Sequence, residues 1–467
     1  MVNENFSESV RVRLIRTRNL IEIEDLDVSV TFYPNNFDKT YGAIISKFKE
    51  LYSDYSLTQI ELRDIDVQLN EIYKDYDKNR DKHQISDAEH LVYLTRSQIK
   101  EQFRDQTGAF YVVIEKDEHN ETLNMDSDEF DRYLCRLYYE SEIMNKILHG
   151  YTINNSKRLL KSFTNKTKTL YTRIAKKDDK IYYDLNNERW QCVEITKDGW
   201  KIIPSPMIFS RAGLDRKQDQ PKLRPYEQSN QENQSRRYIR EIIDRFYIKE
   251  DYQKTIAEVY LISLFIEDIA HPLILPNGPR GSGKTLFLRS LKLIVDPRAE
   301  DESLVERLPH DEKDRRVSIY HSYFPCFDNE SHLEQDSMDE ICAWVTGTSK
   351  TIRELYTTDG LRTFAAKRAI GITGINIPVT SADALNRAFI VDMDSIPDGY
   401  DGTSESKLIG ENKFINEIRQ SLPDILAYVF NVLVQVLNLY DEIKDQIKPN
   451  HRLADFVIWG EAISRVI

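Results

Sequence analysis

The sequence predicts an α/β fold in which a parallel sheet carries a P-loop, with a smaller α+β domain before it. Three observations lead to this prediction. The apolar run at 272–276 is typical of a short buried strand. The next segment, GPRGSGKT at 278–285, matches the P-loop pattern G-x-x-x-x-G-K-[ST] at every required position. Apolar residues then recur at helical spacing between Leu286 and Leu291, so strand, loop and helix follow in the order that a P-loop needs.

The residue types of this loop explain its chemistry. Glycines let the backbone curl until its N–H groups point at phosphate oxygens, and the helix N-terminus adds a dipole that favours negative charge. We expect Lys284 to bind the β- and γ-phosphates of ATP and Thr285 to offer its hydroxyl to Mg²⁺. A glycine-rich turn between two core elements would explain the glycines but not this lysine and threonine. The expected nucleotide-binding residues are Gly278, Pro279, Arg280, Gly281, Ser282, Gly283, Lys284, Thr285 and Leu286.

A P-loop also needs an acidic side chain that holds Mg²⁺ at the end of a neighbouring strand. Asp328 ends the aromatic-rich run at 322–327, which favours a strand, so Thr285 and Asp328 are the predicted metal ligands. The water-activating residue stays open between two neighbours. Glu330 can accept a proton, whereas Asn329 can only orient water.

Two more positions complete the predicted site. The apolar run at 369–375 ends in Asn376, an amide that can bond both the attacking water and the γ-phosphate. Arg387 stands between a short helix and a strand, where an arginine would reach the γ-phosphate of a neighbouring subunit. A single arginine considered without its neighbours more often forms a surface ion pair. The order of P-loop, acid, hairpin, asparagine and arginine favours the joint interpretation.

Two basic stretches favour contact with nucleic acid on a chain whose net charge is −13. Residues 157–177 hold eight basic residues and no acidic one, with Phe163 and Tyr171 interleaved, which suits phosphate contacts and stacking. A solvated helix face and hairpin explains the same pattern. The second stretch is a hairpin with its turn at Asp359–Gly360. The expected contacts are Lys157, Arg158, Lys161, Arg353, Arg362, Lys367 and Arg368.

Length and composition restrict the possibilities further. A chain of 467 residues is too long for one core. Its four cysteines include no C-x-x-C pair, so we expect no zinc and a reducing, cytoplasmic location. No apolar run approaches the roughly 20 residues of a membrane span, so we expect no membrane contact.

Changes of composition predict five segments. The last one ends within a helical pattern, so we expect the native protein to continue beyond it. The segments are an N-terminal α+β region of unassigned role at 1–104, a small α+β module at 105–209, a polar linker at 210–236, a P-loop ATPase core at 237–400 and a helical lid at 401–467.

Several motifs together resemble superfamily 3 helicases of the AAA+ class. The similarity is to the helicase portions of phage, plasmid and poxvirus primase-helicases and their cellular relatives, and it covers about 107–467. Asn329 departs from the pattern, because the wider superfamily has glutamate there. The matching segments are the P-loop, Phe327-Asp-Asn329, Arg353-Glu-Leu-Tyr-Thr-Thr-Asp359, Gly374-Ile-Asn376, Asp383-Ala-Leu-Asn-Arg387 and the lid segment Arg452–Gly460.

This resemblance implies an AAA+ motor that hydrolyses ATP with Mg²⁺ and forms a homo-oligomeric ring of about six subunits. It further implies that basic hairpins face a central pore and that single-stranded or forked DNA is the partner. The implied enzyme is a superfamily 3-like DNA helicase in the replication of a phage, plasmid or integrated element. An AAA+ ATPase that remodels protein or nucleoprotein complexes without unwinding is the alternative.

Overall fold

The structure is a computed structural model that describes most of the 467 residues. The described residues are 12–15, 20–23, 28–33, 36–51, 59–78, 86–116, 119–141, 148–211, 217–218, 221, 239–298, 304–330, 333–353, 361–374, 381–395, 410–449 and 451–467.

Helices and strands are numbered in chain order. The helices are α1 (Phe37–Leu51), α2 (Gln59–Lys78), α3 (Asp87–Gln98), α4 (Asp128–Glu140), α5 (Gly150–Ser162), α6 (239–244), α7 (Asp251–Ser263), α8 (Lys284–Val295), α9 (Glu312–His321), α10 (Gln335–Thr346), α11 (Ala382–Leu385), α12 (Glu411–Gln446) and α13 (Ala454–Val466). The strands are β1 (Val12–Ile15), β2 (Leu20–Ile23), β3 (Val28–Thr31), β4 (Ile99–Arg104), β5 (Phe110–Lys116), β6 (His119–Asn124), β7 (Ile174–Lys177), β8 (Lys180–Asp184), β9 (Gln191–Thr196), β10 (Gly199–Pro204), β11 (Leu273–Asn277), β12 (Cys326–Phe327), β13 (Thr348–Arg353), β14 (Leu361–Ala366), β15 (Gly371–Ile372) and β16 (Ala388–Asp392).

The chain divides into two compact units, and the division does not follow the predicted segments. The module predicted at 105–209 is split near residue 168, so that its helices and its four-stranded meander belong to different units. The first unit comprises Met1–Arg104, Ala109–Lys116 and Glu121–Thr167, and the second comprises Asp105–Gly108, Asp117–Asn120 and Lys168–Ile467.

The first unit contains two small α+β layers. In one, the antiparallel sheet β1-β2-β3 packs with α1 and α2 around Ile21, Phe32 and Ile44. In the other, the sheet β4-β5-β6 packs with α3, α4 and α5 around Phe130 and Leu134. Each layer buries the apolar face of its sheet under helices, which is how a small sheet reaches stability.

The second unit is organised around a parallel sheet with the strand order β12-β15-β11-β16. Strand β11 pairs in parallel with both β15 and β16, and β12 pairs in parallel with β15. The carboxyl ends of parallel strands meet at one edge of a sheet, where ligands bind in open α/β folds. The loops that follow β11, β12 and β15 are therefore brought together at this edge.

The meander β10-β9-β8-β7 packs against the helices of the P-loop sheet and not within a separate module. Its residues Ile181, Tyr183 and Val193 share one buried apolar cluster with α7, α8 and α12. The Tyr183 hydroxyl donates to the carbonyl oxygen of Val295 at 2.9 Å, and Gln218 Nε2 donates to the Ile294 carbonyl oxygen at 2.9 Å. These carbonyls end α8, where a helix lacks its own donors. Gln218, within the predicted linker, is thus a buried structural residue.

Helix α12 is long and apolar enough to cross a membrane by length and composition, although the sequence analysis expects no such run. In the structure 72% of its most apolar window is buried inside the protein. It packs with α13, α8 and the meander. A core helix that is covered on most sides passes the same hydropathy test, because it too is apolar nearly all round.

A buried ion cluster joins α8 to the meander. Lys292 Nζ donates to Asp296 Oδ2 at 2.8 Å, and both side chains are at most 2% exposed. The guanidinium of Arg173, next to β7, lies 3.7 Å from the other carboxylate oxygen. Burial alone would raise the pKa of Asp296, but the charges of Lys292, Arg173 and Arg298 outweigh it and hold the pKa below its usual value.

Replacing Asp296 with asparagine is expected to lower the free energy of unfolding by about 3–5 kcal/mol, because Lys292 and Arg173 would stay buried without their counter-charge. Thermal and urea unfolding of the purified chain measure this loss. The lowered pKa also means that the stabilisation is present above the ordinary carboxyl pKa and is lost as the pH falls below it. Asp441→Asn is the matched control, because Asp441 pairs with Lys197 at the surface and should matter far less. Equal losses in both variants would contradict the prediction.

Candidate nucleotide-binding site

The predicted P-loop lies between β11 and α8, and two of its glycines illustrate why glycine is needed there. Gly283, directly before α8, has a φ of +86°, in the left-handed region that glycine adopts without strain. Gly278 is required by close approach, because a Cβ there would lie 2.4 Å from the carbonyl oxygen of Met393. Met393 follows β16, the strand beside β11, so the loop is pressed against its neighbour. Strand, loop and helix follow in the predicted order.

Asp328 lies at the same edge of the sheet, directly after β12. Its Oδ2 accepts a hydrogen bond from the Thr285 hydroxyl at 3.0 Å, and its Oδ1 accepts one from the Thr373 hydroxyl at 2.9 Å. The structure therefore brings together the two predicted metal ligands, which are far apart in the sequence. A hydroxyl and a carboxylate oxygen are the hard ligands that Mg²⁺ prefers.

Thr373 is the residue of this site that the sequence analysis missed. It follows β15, which lies between β11 and β12, and its backbone N–H also donates to the Phe327 carbonyl oxygen at 2.9 Å. The predicted sensor on the same strand, Asn376, lies outside the described residues. A polar residue near the carboxyl end of an apolar strand was the available signal for Thr373.

Lys284, the first residue of α8, is directed into the loop. Its Nζ donates to the carbonyl oxygens of Gly278 at 2.7 Å and Pro279 at 2.9 Å. Partial burial lowers the pKa of Lys284, and the negative charge of Asp328 opposes that shift. The ammonium is thus held by weak neutral acceptors, which phosphate oxygens can replace with stronger charge-assisted bonds.

Asn329 and Glu330, the two candidates for water activation, differ in their surroundings. Asn329 is exposed and has a φ of +64°, a left-handed conformation that asparagine tolerates better than most residues. Glu330 is half-buried, and its Oε1 accepts a hydrogen bond from the Leu308 N–H at 3.2 Å. Its own N–H donates to the Thr373 carbonyl oxygen at 2.9 Å, which holds Glu330 beside the end of β15.

Arg387 is far from its own P-loop, because it precedes β16 at the amino edge of the sheet. Its carbonyl oxygen accepts from the N–H of Leu273, the first residue of β11, whereas the P-loop follows the last residue of β11. A strand of about five residues separates the two ends by roughly 16 Å. The guanidinium pairs with Asp383 at 3.0 Å and donates to the Cys342 carbonyl oxygen at 3.3 Å.

The predicted hairpin is confirmed in its strands, since β13 and β14 pair antiparallel from Thr348 to Ala366. The side chains of Arg353 and Arg362 lie outside the described residues, as does the turn at 354–360. The strands are nevertheless in register up to Arg353 opposite Leu361. The hairpin is a two-stranded sheet of its own, separate from the sheet that carries the P-loop.

Lys367 and Arg368 follow the hairpin and line a cleft of about 690 Å³. Lys367 Nζ donates to both Oδ1 and the carbonyl oxygen of Asp268, each at 2.9 Å. Arg368 donates to the carbonyl oxygen of Tyr320 at 2.8 Å, and burial lowers its pKa. The prediction that Arg368 contacts phosphates is therefore replaced by a structural role, because its guanidinium donates to a backbone carbonyl oxygen inside the protein.

The three basic residues of α5 that were predicted to contact nucleic acid differ in burial and in ion pairing. Lys157 is buried and pairs with Asp131 at 2.8 Å. Lys161 is half-buried and pairs with Asp126. Arg158 is exposed. Two of the three predicted contacts are thus structural ion pairs, because the acidic helix α4 and the turn before it lie beside α5.

The residues present fit ATP and Mg²⁺. The glycine positions give a backbone cradle that a Cβ at Gly278 would disrupt. Within the described part of the chain, the buried hydroxyl of Ser282 in this loop has no hydrogen-bond partner. Thr285 and Asp328 supply adjacent oxygen ligands for a hard cation.

Residues 245–462 match the family model described as the replication protein of actinomycete integrative conjugative elements. The match begins before the P-loop and ends in α13, so it contains the whole candidate site. It confirms that this part of the chain resembles replication proteins. No curated protein sequence matches the chain.

Several solved structures are similar to the chain at low identity. The C-terminal region of NrS-1 in its A-form apo structure is 13% identical over 72% of this chain and 67% of that chain, with a TM-score of 0.36. The active helicase Cch of SCCmec type IV is 13% identical over 79% and 69%, with a TM-score of 0.38. JCV helicase bound to a thiazolopyridine compound is 13% identical over 52% and 64%, with a TM-score of 0.25. Similarities at these TM-scores do not establish a shared fold or function for this chain.

Proposed function

We propose that this chain is an ATP-hydrolysing motor of the AAA+ type that acts as a ring-forming DNA helicase in replication. The observation that carries the proposal is the hydrogen-bonded series from Thr285 through Asp328 to Thr373, at 3.0 and 2.9 Å, beside the P-loop. It brings the two proposed metal ligands, Thr285 of α8 and Asp328 after β12, together with Thr373 after β15. The match of 245–462 to a replication protein of integrative elements supports replication as the process.

Each residue of the site has a distinct task in this proposal. ATP with Mg²⁺ supplies the phosphoanhydride whose hydrolysis releases the energy that the motor uses. Lys284 balances charge on the phosphates, while Thr285 and Asp328 hold the metal in place. Thr373 positions Asp328 by binding its second carboxylate oxygen. The helices α12 and α13, which share an apolar cluster with α8, form the helical lid of this proposal.

The position of Arg387 supports a ring. It stands at the amino edge of the sheet, about 16 Å from the carboxyl edge where its own γ-phosphate site would lie. An arginine so placed can complete the site of a neighbouring subunit but not its own. We therefore propose a homo-oligomer, about six subunits in the ring that the resemblance implies, with single-stranded or forked DNA as the partner of the β13–β14 hairpins.

Single-stranded DNA is expected to stimulate ATP hydrolysis, because a helicase couples turnover to strand contact. The measurement is phosphate release with and without an oligonucleotide, together with strand separation of a labelled forked duplex. A heat-denatured chain gives the background rate. ATPase activity without stimulation and without strand separation would exclude the helicase and favour a remodeller of protein or nucleoprotein complexes.

Glu330→Gln is expected to bind ATP normally and to slow hydrolysis by roughly 10²-fold or more, because an amide cannot accept the proton of the attacking water. The amide oxygen can still accept from the Leu308 N–H, so the fold should be preserved. Asn329→Ala is the matched comparison, since it removes the neighbouring side chain. A crippled Asn329→Ala beside a normal Glu330→Gln would reverse the assignment.

A further inference from the structure

Helix α5 presents an exposed face that the nucleotide site does not use. Tyr151, at its first turn, is 77% exposed, which is the highest value among the large hydrophobic residues that the structure describes. Leu159 is 37% exposed on the same side. These positions recur at helical spacing, so they form one continuous stripe along the helix. The exposed residues of the stripe are Tyr151, Asn154, Arg158, Leu159 and Ser162.

The exposed charged side chains of this face are positive. The sequence of α5, GYTINNSKRLLKS, contains no acidic residue. Its two lysines are turned toward α4 and the preceding turn, where they pair with Asp131 and Asp126. Arg158 remains on the exposed face. These two acidic side chains are therefore engaged by the lysines, and Arg158 stays exposed to meet an anion.

A second aromatic group stands at the end of the stripe. Phe163, directly after α5, is 45% exposed. The guanidinium of Arg96, near the end of α3, lies 4.6 Å from the centroid of the Phe163 ring. Arg96 is itself exposed. A cation stacked on an aromatic ring forms a flat platform of the kind on which nucleic-acid bases and phosphates are held together.

We propose that this α5 face, defined as the exposed stripe of α5 with Phe163 and Arg96, binds single-stranded DNA. Arg158 and Arg96 meet phosphates, while Tyr151 and Phe163 stack on bases. An unpaired strand is favoured over a duplex because side chains stack on a base only where it has left its partner. The two rings are 12 residues apart, or about 18 Å along a helix, which gives the strand a track to follow.

This inference rests on the proposed function for its choice of DNA, and it extends that function to a surface in the first unit. The test uses the full chain without ATP and measures the anisotropy of a fluorescent oligo(dT) at several salt concentrations. Tyr151→Ala with Arg158→Ala is expected to weaken binding about tenfold or more. The salt slope should fall by about 0.7 for the lost phosphate contact.

The matched control is Tyr139→Ala with Arg136→Ala on α4. Tyr139 is 63% exposed and Arg136 is exposed, but they stand on a helix rich in acidic residues. This variant should bind DNA as the native chain does. Thermal unfolding verifies that both variants are folded, and Tyr151→Phe with Arg158→Lys should recover most of the affinity, because stacking and charge are both retained.

Unchanged affinity and salt slope in the α5 variant would overturn the proposal and leave the face to a protein partner. Equal weakening in the α4 control would overturn it as well, because the effect would then be unspecific. Basal ATP hydrolysis separates the two proposals. If the native chain shows no ATPase activity but the α5 variant still loses DNA binding, the proposed motor is refuted. The α5 face is then retained as a DNA-binding surface.

Discussion

Asp328→Asn and Lys284→Ala are each expected to reduce ATP hydrolysis by about 10³-fold or more. Asp328 accepts hydrogen bonds from Thr285 and Thr373 and, in our proposal, would hold the Mg²⁺ that offsets the charge of the phosphates. Lys284 balances the charge that develops on the same phosphates. Loss of one preorganised group at a charge-stabilising site already costs about 10²–10³-fold in other enzymes.

Both changes should leave the fold intact, so the loss is a loss of chemistry. The asparagine keeps the shape of Asp328, and the two hydroxyls can reorient to meet its amide group. Among the described residues, Lys284 hydrogen-bonds only to loop carbonyl oxygens. These can accept hydrogen bonds from water instead. Phosphate release and thermal unfolding are measured together, with Asp336→Asn and Lys313→Ala as exposed controls of the same residue types. Near-native hydrolysis in either Asp328→Asn or Lys284→Ala would refute this site.

Arg387→Ala is expected to lower ATP hydrolysis by about 10³–10⁵-fold while ATP binding persists, the range that an arginine finger supplies in GTPases. The reason is geometric. Arg387 lies at the edge of the sheet opposite its own P-loop, and its described contacts are with Asp383, Cys342 and Thr346. In our proposal it therefore serves the γ-phosphate of another subunit.

Mixing two inactive chains tests this arrangement directly. Arg387→Ala combined with Lys284→Ala should recover part of the turnover, because some interfaces then join an intact P-loop to an intact arginine. The assay is hydrolysis rate against mixing ratio, with the mass followed by light scattering. Asp383→Asn is the comparison variant, since it removes the carboxylate charge that pairs with Arg387 and should retain activity. Mutants that assemble together but never complement would contradict action between subunits, and a fully active monomer would refute the ring.

The parts of the site that the sequence predicts are those defined by local patterns. The P-loop is one continuous motif, and Asp328 ends a strand of recognisable composition. The strands of the predicted hairpin are present, whereas the turn expected at Asp359–Gly360 lies outside the described residues. Thr373 differs, because its role depends on β15 lying between the two other strands. Strand order is decided by packing across the whole unit, and no short pattern records it.

Which basic side chains are engaged by the protein and which are exposed could be learned only from the structure. Lys367 and Arg368 are neighbours in sequence, yet one pairs with Asp268 and the other donates to the Tyr320 carbonyl oxygen in the interior. Lys157 and Arg158 separate in the same way on α5, one buried against Asp131 and one exposed. Successive side chains point in different directions on a strand or a helix. A basic run therefore predicts charge and not which members are free to bind.

The assignment of the meander to the small module failed for a related reason. Strands β8 and β9 are each buried at four consecutive residues, which means that both of their faces are covered. The short apolar runs in these strands, Ile181–Tyr183 and Cys192–Val193, were the available signal. It indicates that something packs on the second face, but the identity of the covering helices depends on contacts far along the chain.

The capping of α8 by Tyr183 and Gln218 determines which fragments of this protein can fold and which parts recombination can transfer. A fragment that starts at residue 237 would lose the partners of the last α8 carbonyls and would expose the apolar side of α12. The smallest fragment that should fold and hydrolyse ATP therefore starts near Lys168. Limited proteolysis should yield the meander and the motor as one resistant piece. Recombination between replication proteins would have to transfer the two together.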